Sequence, residues 1–147
     1  MKIYASNPRR MSIGDIDLSQ FLYTDTWVLA YLPGLLNGNL YQYINIVHLD
    51  DEYIYFVAID SELIDAMLEG GELNDYEEEH INAAIFISQH SLSENVLLSF
   101  IQNGLVHRMS RDIKVTIYPD DIYSTADIEE LLNQCQIFDT DIDEDDE

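Results

Sequence analysis

The chain has 147 residues, with 29 Asp and Glu against six Lys and Arg, a net charge of −23 and an apolar fraction of 47%. That length fits one domain able to bury about 70% of its unfolded surface, and the apolar content excludes a disordered acidic chain. The single cysteine, Cys135, excludes an internal disulfide framework, and neither a bilayer-spanning apolar run nor a secretory pattern is present, so a reducing, cytoplasmic setting without membrane contact is expected.

In chain order, residues 2–5 read as a strand closed by Asn7-Pro8, and Met11 to Tyr23 as irregular or weakly helical. Thr26 to Leu32 reads as a strand ended by Pro33-Gly34, with Asn37-Gly38 as a further turn. Leu40 to Leu49 and Tyr53 to Ile59, rich in Tyr, Ile, Val and Phe, flank Asp50-Asp51-Glu52 and predict a β-hairpin. Both faces of its second strand are apolar, Tyr53, Tyr55, Val57 and Ile59 against Ile54, Phe56 and Ala58. Such a strand belongs to a sheet covered on both sides or curled into a small barrel.

Ser61 is the expected cap of a helix over 61–69, with Leu63, Ile64, Met67 and Leu68 inward and Gly70-Gly71 as its stop. Residues 72–90 are ambiguous: Glu77-Glu78-Glu79 favours a helix start, while Ala84 to Ser88 suits a strand equally well. Ser91-Leu92-Ser93-Glu94 reads as a capping box before a helix near 93–103 that stops at Gly104. Asp112 to Tyr118 alternates as a strand ending at Pro119. Ser124 or Thr125 caps a helix near 125–135 with Ile128, Leu131, Leu132 and Cys135 inward. The expected architecture is a single α+β domain over 1–138, with a largely antiparallel sheet and three or four helices, followed by a flexible acidic tail over 139–147.

Motifs for chemistry are missing. His48, His80, His90 and His107 never recur at the i, i+4 spacing of a helical metal site, and Cys135 has no second thiolate beside it. Asp139-Thr140-Asp141-Ile142-Asp143 opens like a calcium loop but has neither the glycine nor the closing glutamate such a loop needs. No nucleophile elbow, phosphate loop or dinucleotide fingerprint occurs. No catalytic, cofactor or metal residue is therefore expected, and the chain reads as a non-enzyme.

The acids carry more information. No Lys or Arg occurs between Arg10 and Arg108, whereas 16 acids do. On the helix after Ser61, the residues Glu62, Asp65 and Glu69 share an outward face. Neighbours on such a face lie about 5–6 Å apart, a spacing comparable to that of phosphates along a nucleic-acid strand. Asp50, Asp51 and Glu52 at the hairpin tip, and Glu72, Asp75, Glu77, Glu78 and Glu79, are expected to extend the row, with Tyr76 as an aromatic anchor. In size, charge and the missing basic stretch the chain resembles phage anti-restriction and anti-CRISPR proteins that mimic DNA or RNA. The resemblance implies an inhibitor that occupies the basic nucleic-acid-binding surface of a nuclease or of a CRISPR or restriction effector. The alternatives are an immunity protein or antitoxin covering a nuclease toxin, or a protein–protein adaptor domain. Six bases do not overcome phosphate repulsion, so direct nucleic-acid binding is not expected. Arg108, Arg111 and Lys114 are expected to pair with nearby acids or to meet a second copy, leaving monomer and homodimer both open.

Overall fold

A computed structural model describes residues 8–13, 15, 25–32, 40–90 and 92–138. The expected strand over 2–5, the turns at 33–34 and 37–38 and the tail over 139–147 lie outside these residues. In chain order the described elements are β1 (Arg9–Ser12), β2 (Thr26–Tyr31), β3 (Tyr41–Leu49), β4 (Tyr53–Asp60), α1 (Ser61–Leu68), β5 (Glu72–Asn74), α2 (Asp75–Ser88), α3 (Glu94–Gln102), β6 (His107–Ser110), β7 (Lys114–Ser124), α4 (Thr125–Gln134) and β8 (Gln136–Phe138).

Six strands form one antiparallel sheet in the order β1-β7-β2-β3-β4-β6, while β5 and β8 make a separate parallel pair. The large sheet is open, with β1 and β6 at its edges, so the fold is α+β and the barrel alternative does not apply. The expected hairpin is its centre. Gln42 faces Asp60 and Leu49 faces Ile54, with a register shift between Ile46 and His48.

Side-chain alternation divides two cores. Trp27, Leu29, Tyr43, Tyr55, Val57 and Ile59 point to one face, where they pack with Ile64 and Met67 of α1, Ile81 and Ile85 of α2, Leu97 of α3 and Ile128 and Leu132 of α4. Val28, Ala30, Ile44, Ile54, Phe56 and Ala58 point to the other, with Val115 and Ile117 of β7. Every helical core residue belongs to the first group, so the helices form one layer on one side of the sheet. Burial of each large side chain contributes about 1.5–3 kcal/mol, which is where such a charged chain finds its cohesion.

Several local expectations need correction. Met11 and Ser12 are not irregular: they belong to edge strand β1, paired with Val115 and Lys114. The N-cap of α1 is Asp60, whose carboxylate accepts from the Glu62 amide at 2.8 Å; Ser61 is already helical and buried. A carboxylate holds a helix N-terminus more strongly than a hydroxyl because it meets the positive end of the dipole with full charge. Leu68, in the last turn, stands 47% exposed rather than inward. The ambiguous stretch resolves as β5 and then one continuous helix, α2, started by a capping box between Asn74 and Glu77. In α3 the cap is Ser93, which places Glu94 at the first helical position instead of the third. Gly104, with φ of 79°, closes that helix in the left-handed conformation glycine tolerates.

Strand β7 does not end at Pro119. Leu29 pairs with Tyr118 and Val28 with Ile122, so residues 119–121 bulge out of the ladder before pairing resumes. A proline has no N–H for the ladder, and a bulge is one of the few places in a strand that does not need it. As expected, α4 buries Ile128 and Leu132, with Cys135 beyond its end, and Ser124 with Asp127 makes its capping box.

Candidate functional site

The acidic residues fall into two groups separated by the length of β4. Asp50, Asp51 and Glu52 form the hairpin tip at the start of Tyr53–Asp60, whereas α1 begins at its end. Eight strand residues span about 23 Å at the usual rise per residue. The tip therefore does not extend the row on the helices.

The tip is a structural device. Asp50 Oδ1 accepts from the backbone amides of Glu52 at 2.9 Å and Tyr53 at 2.7 Å, and its Oδ2 accepts from the Tyr55 hydroxyl at 3.2 Å. Those two amides hold the Asp50 carboxyl below its ordinary pKa. Burial pushes the Tyr55 hydroxyl up. Arg111 donates from Nη1 to the Asp50 carbonyl oxygen at 2.9 Å, and its own amide donates to the Glu52 carbonyl at 3.1 Å. The Arg108 guanidinium lies 4.7 Å from the centre of the Tyr53 ring. Lys114 Nζ donates to Ser12 Oγ at 3.1 Å. These late bases tie the tip and the sheet edge together through backbone, aromatic and hydroxyl groups.

The second group sits on the helical layer. Glu62 is exposed on α1, Asp65 is half-buried there, and Glu69 is the exposed C-cap residue. Glu72 is exposed on β5; on α2, Asp75, Glu77 and Glu78 are half-buried and Glu79 is exposed. Glu77 is committed to the capping box, with its Oε1 accepting from the Asn74 amide at 3.0 Å. Tyr76 is 76% exposed and Phe86 51%, the latter stacked on His90 with ring centres 4.0 Å apart. Asp127, Glu129 and Glu130 of α4 join the same layer. These three, with Phe86, were missed by attention to the basic-free stretch, although the helix bearing the acids was itself predictable.

Across α1, α2, α3 and α4 there are ten acids and no Lys or Arg. The five described bases all lie elsewhere: Arg9 and Arg10 in β1, Arg108 in β6, Arg111 in the turn after it and Lys114 at the start of β7. The described bases are thus confined to the sheet and its turns, whereas acids occur both there and on the helices.

A cleft of about 850 Å³ opens between the N-terminal ends of α1 and α2 and the segment from Ile101 to Met109. Strand β6 stops at the pair Phe56–His107, whereas β4 continues to Asp60, and the cleft lies beside this overhang. Asp60, Tyr76, Glu77, His80 and His107 line it. His80 Nε2 lies 3.4 Å from the Ala58 carbonyl oxygen. Burial, and secondarily the neighbouring His80, lowers the His107 pKa. Cys135 is buried, donates to the Gly71 carbonyl at 3.2 Å and has its pKa raised by burial, which disfavours the nucleophilic thiolate. Among the described residues no three His, Cys, Asp or Glu side chains come together as a metal-binding group, and no helix is long and apolar enough to cross a membrane.

Comparison with protein-family models, curated proteins and solved structures finds no match.

Proposed function

We propose that the chain is an acidic inhibitor whose helical layer covers the basic nucleic-acid-binding surface of a partner protein, in the manner of a nucleic-acid mimic. The observation that supports this reading is the absence of bases from the helical layer: ten helical acids with no helical Lys or Arg. Like charges at helical spacing repel one another by a few tenths of a kcal/mol per pair, and helix C-termini without a cation forgo a further contribution from the dipole. Solubility needs a net charge of only about 2–8 on a small domain. Charge far beyond that, with a helical layer that carries acids and no base, suits a surface rich in Lys and Arg and accelerates encounter with it.

The working part of the surface is then the helical layer: Glu62, Glu69, Glu72 and Glu79, with Tyr76 among them. Asp50 serves the fold, while Asp51 and Glu52 stand exposed a strand's length from this layer. The test is co-purification from cell lysate followed by competition between this chain and nucleic acid for the captured partner. Displacement of the partner's DNA or RNA is the expected result. A partner that holds this chain and its nucleic acid together would overturn mimicry.

A further inference from the structure

We infer that the partner binds single-stranded nucleic acid, and that the stacked side chains of Phe86 and His90 take the place of two unpaired bases; the inference rests on the mimicry proposed above. Among the described side chains, the exposed members of the Phe, Tyr and Trp set are Tyr76 and Phe86, and both belong to α2. Ten positions separate them, about 15 Å along the helix axis at the usual rise, with exposed Glu79 between them. Phe86 and His90 are neighbours four apart on the helical spiral. Their ring centres lie 4.0 Å apart with 29° between the planes, closer than the roughly 4.5–7 Å of most aromatic pairs. His90 Nδ1 donates to the Phe86 carbonyl oxygen at 2.6 Å, which holds the imidazole beside the phenyl ring. With that neighbour in place Phe86 is still 51% exposed, and His90 is exposed too. Leaving the phenyl ring half in water forgoes part of the about 1.5–3 kcal/mol that full burial supplies. His90 also belongs to the wall of a hollow of about 470 Å³, together with Asp25, Ile46, Val47 and Thr125, so a partner's flat side chain has a recess beside the stack.

Exposed stacked rings separate two kinds of nucleic acid. In a duplex the base faces are covered by their neighbours, and proteins contact phosphates and read base edges from the grooves. A single strand offers the faces themselves. Its binders supply a positively charged groove with aromatic rings and guanidinium planes on which bases stack. A duplex mimic therefore needs carboxylates alone, whereas a single-strand mimic needs carboxylates and open rings. Helix α2 carries both, with four acids among its first five residues and Phe86 in its last turn. Charge complementarity selects a basic surface for this helix, and the stack selects one built to receive base faces.

The first experiment is an NMR titration of the full chain with two five-residue peptides of equal charge, four lysines around a central tryptophan or a central leucine. The tryptophan peptide should bind about fivefold tighter, the size of one aromatic contact, and shift the ring signals of Phe86 and His90. Phe86→Leu keeps an apolar side chain at this exposed position and removes the stacking face, so the preference should fall close to one, and Phe86→Tyr should keep it. Equal binding of the two peptides by the unmodified chain, or a preference that survives Phe86→Leu, would overturn the inference. The second experiment offers the captured partner a single strand and a duplex of the same sequence. We expect this chain to displace the single strand, and Phe86→Leu to compete at least about fivefold less well, the smallest loss expected for one stacking contact. Displacement of the duplex as readily as the single strand, or undiminished competition by Phe86→Leu, sinks the inference and leaves mimicry standing. A partner that keeps both nucleic acids while holding this chain sinks mimicry, and the single-strand reading with it.

Discussion

The indole N–H of Trp27 donates to the hydroxyl oxygen of Thr125 at 3.0 Å, joining the second strand to the first residue of the last helix across 98 positions of sequence. Both side chains are buried. Thr125 in turn donates from its backbone amide to the Asp25 carbonyl at 2.8 Å and from its hydroxyl to the same oxygen at 3.3 Å. One threonine thereby fixes the corner where α4 meets the sheet. Replacing it with valine keeps the shape, strands the indole N–H without an acceptor and should cost about 1–3 kcal/mol. Urea denaturation followed by Trp27 fluorescence measures it. A loss under about 0.5 kcal/mol would mean that the indole finds another acceptor.

Asp50 should matter to the fold and not to the partner. Its carboxyl is held below the ordinary value of 3.8, so the stabilisation it provides is present above that pH and fades as pH falls through the lower folded value. Asp50→Ala should lower Tm at neutral pH, shrink the acid-dependent loss below pH 3.8 and leave nucleic-acid competition unchanged. Impaired competition by a variant that folds normally would return the hairpin tip to the functional surface.

His107 has the opposite sign. Its folded pKa lies below the ordinary 6.5, so the unfolded chain takes up the proton first and stability is lost as pH falls below 6.5. The cost is absent above that pH. Comparing Tm of the parent and His107→Gln between about pH 7 and pH 5 isolates it, because both share every other titrating group. The parent should fall further over that interval. Parallel curves would mean that the imidazole is hydrated in the fold.

Reversing Glu62, Glu69 and Glu79 to lysine changes exposed positions on the helical layer and should leave thermal stability within about 0.5 kcal/mol of the parent. Association with the captured basic partner should slow by about tenfold or more at low salt, and the deficit should narrow toward 1 M salt, where the Debye length is about 3 Å. A salt-independent deficit would point to contact geometry instead of charge. An unchanged rate would remove this layer from the interface.

The hairpin was legible because its two strands carry β-branched and aromatic residues on both faces, and the structure sorts those faces as the alternation requires. The helices at α3 and α4 were legible from Gly104 and Ser124, although the capping box expected over Ser91 to Glu94 gives way to Ser93 as the cap of α3. Pro119 misled because a bulge depends on the partner strand, and the Val28–Leu29 register cannot be read from the proline alone. Ser61 misled because the expected strand stopped at Ile59 and left Asp60 in neither element, whereas it ends the strand and caps the helix at once. The acids of α1 and α2 could be found from the absence of bases. That the hairpin tip lies a strand's length from them, and that α4 joins them, follows only from the way the chain packs. The cleft depends on β6 stopping short of the end of β4, a length difference that no local pattern encodes.

The open sheet offers two described edges on which another copy's strand could polymerise, and each carries arginine: Arg9 and Arg10 on β1, Arg108 on β6. Stacking β1 on β6 of the next molecule brings like charges together, as does pairing either edge with itself. Long-range repulsion between molecules of charge −23 keeps copies apart only while the solution is dilute in ions. At high ionic strength that protection fades, and the short-range clash at the edges is what still opposes fibre growth. A chain that can spare six cations places three of them where its backbone is most able to recruit a neighbour.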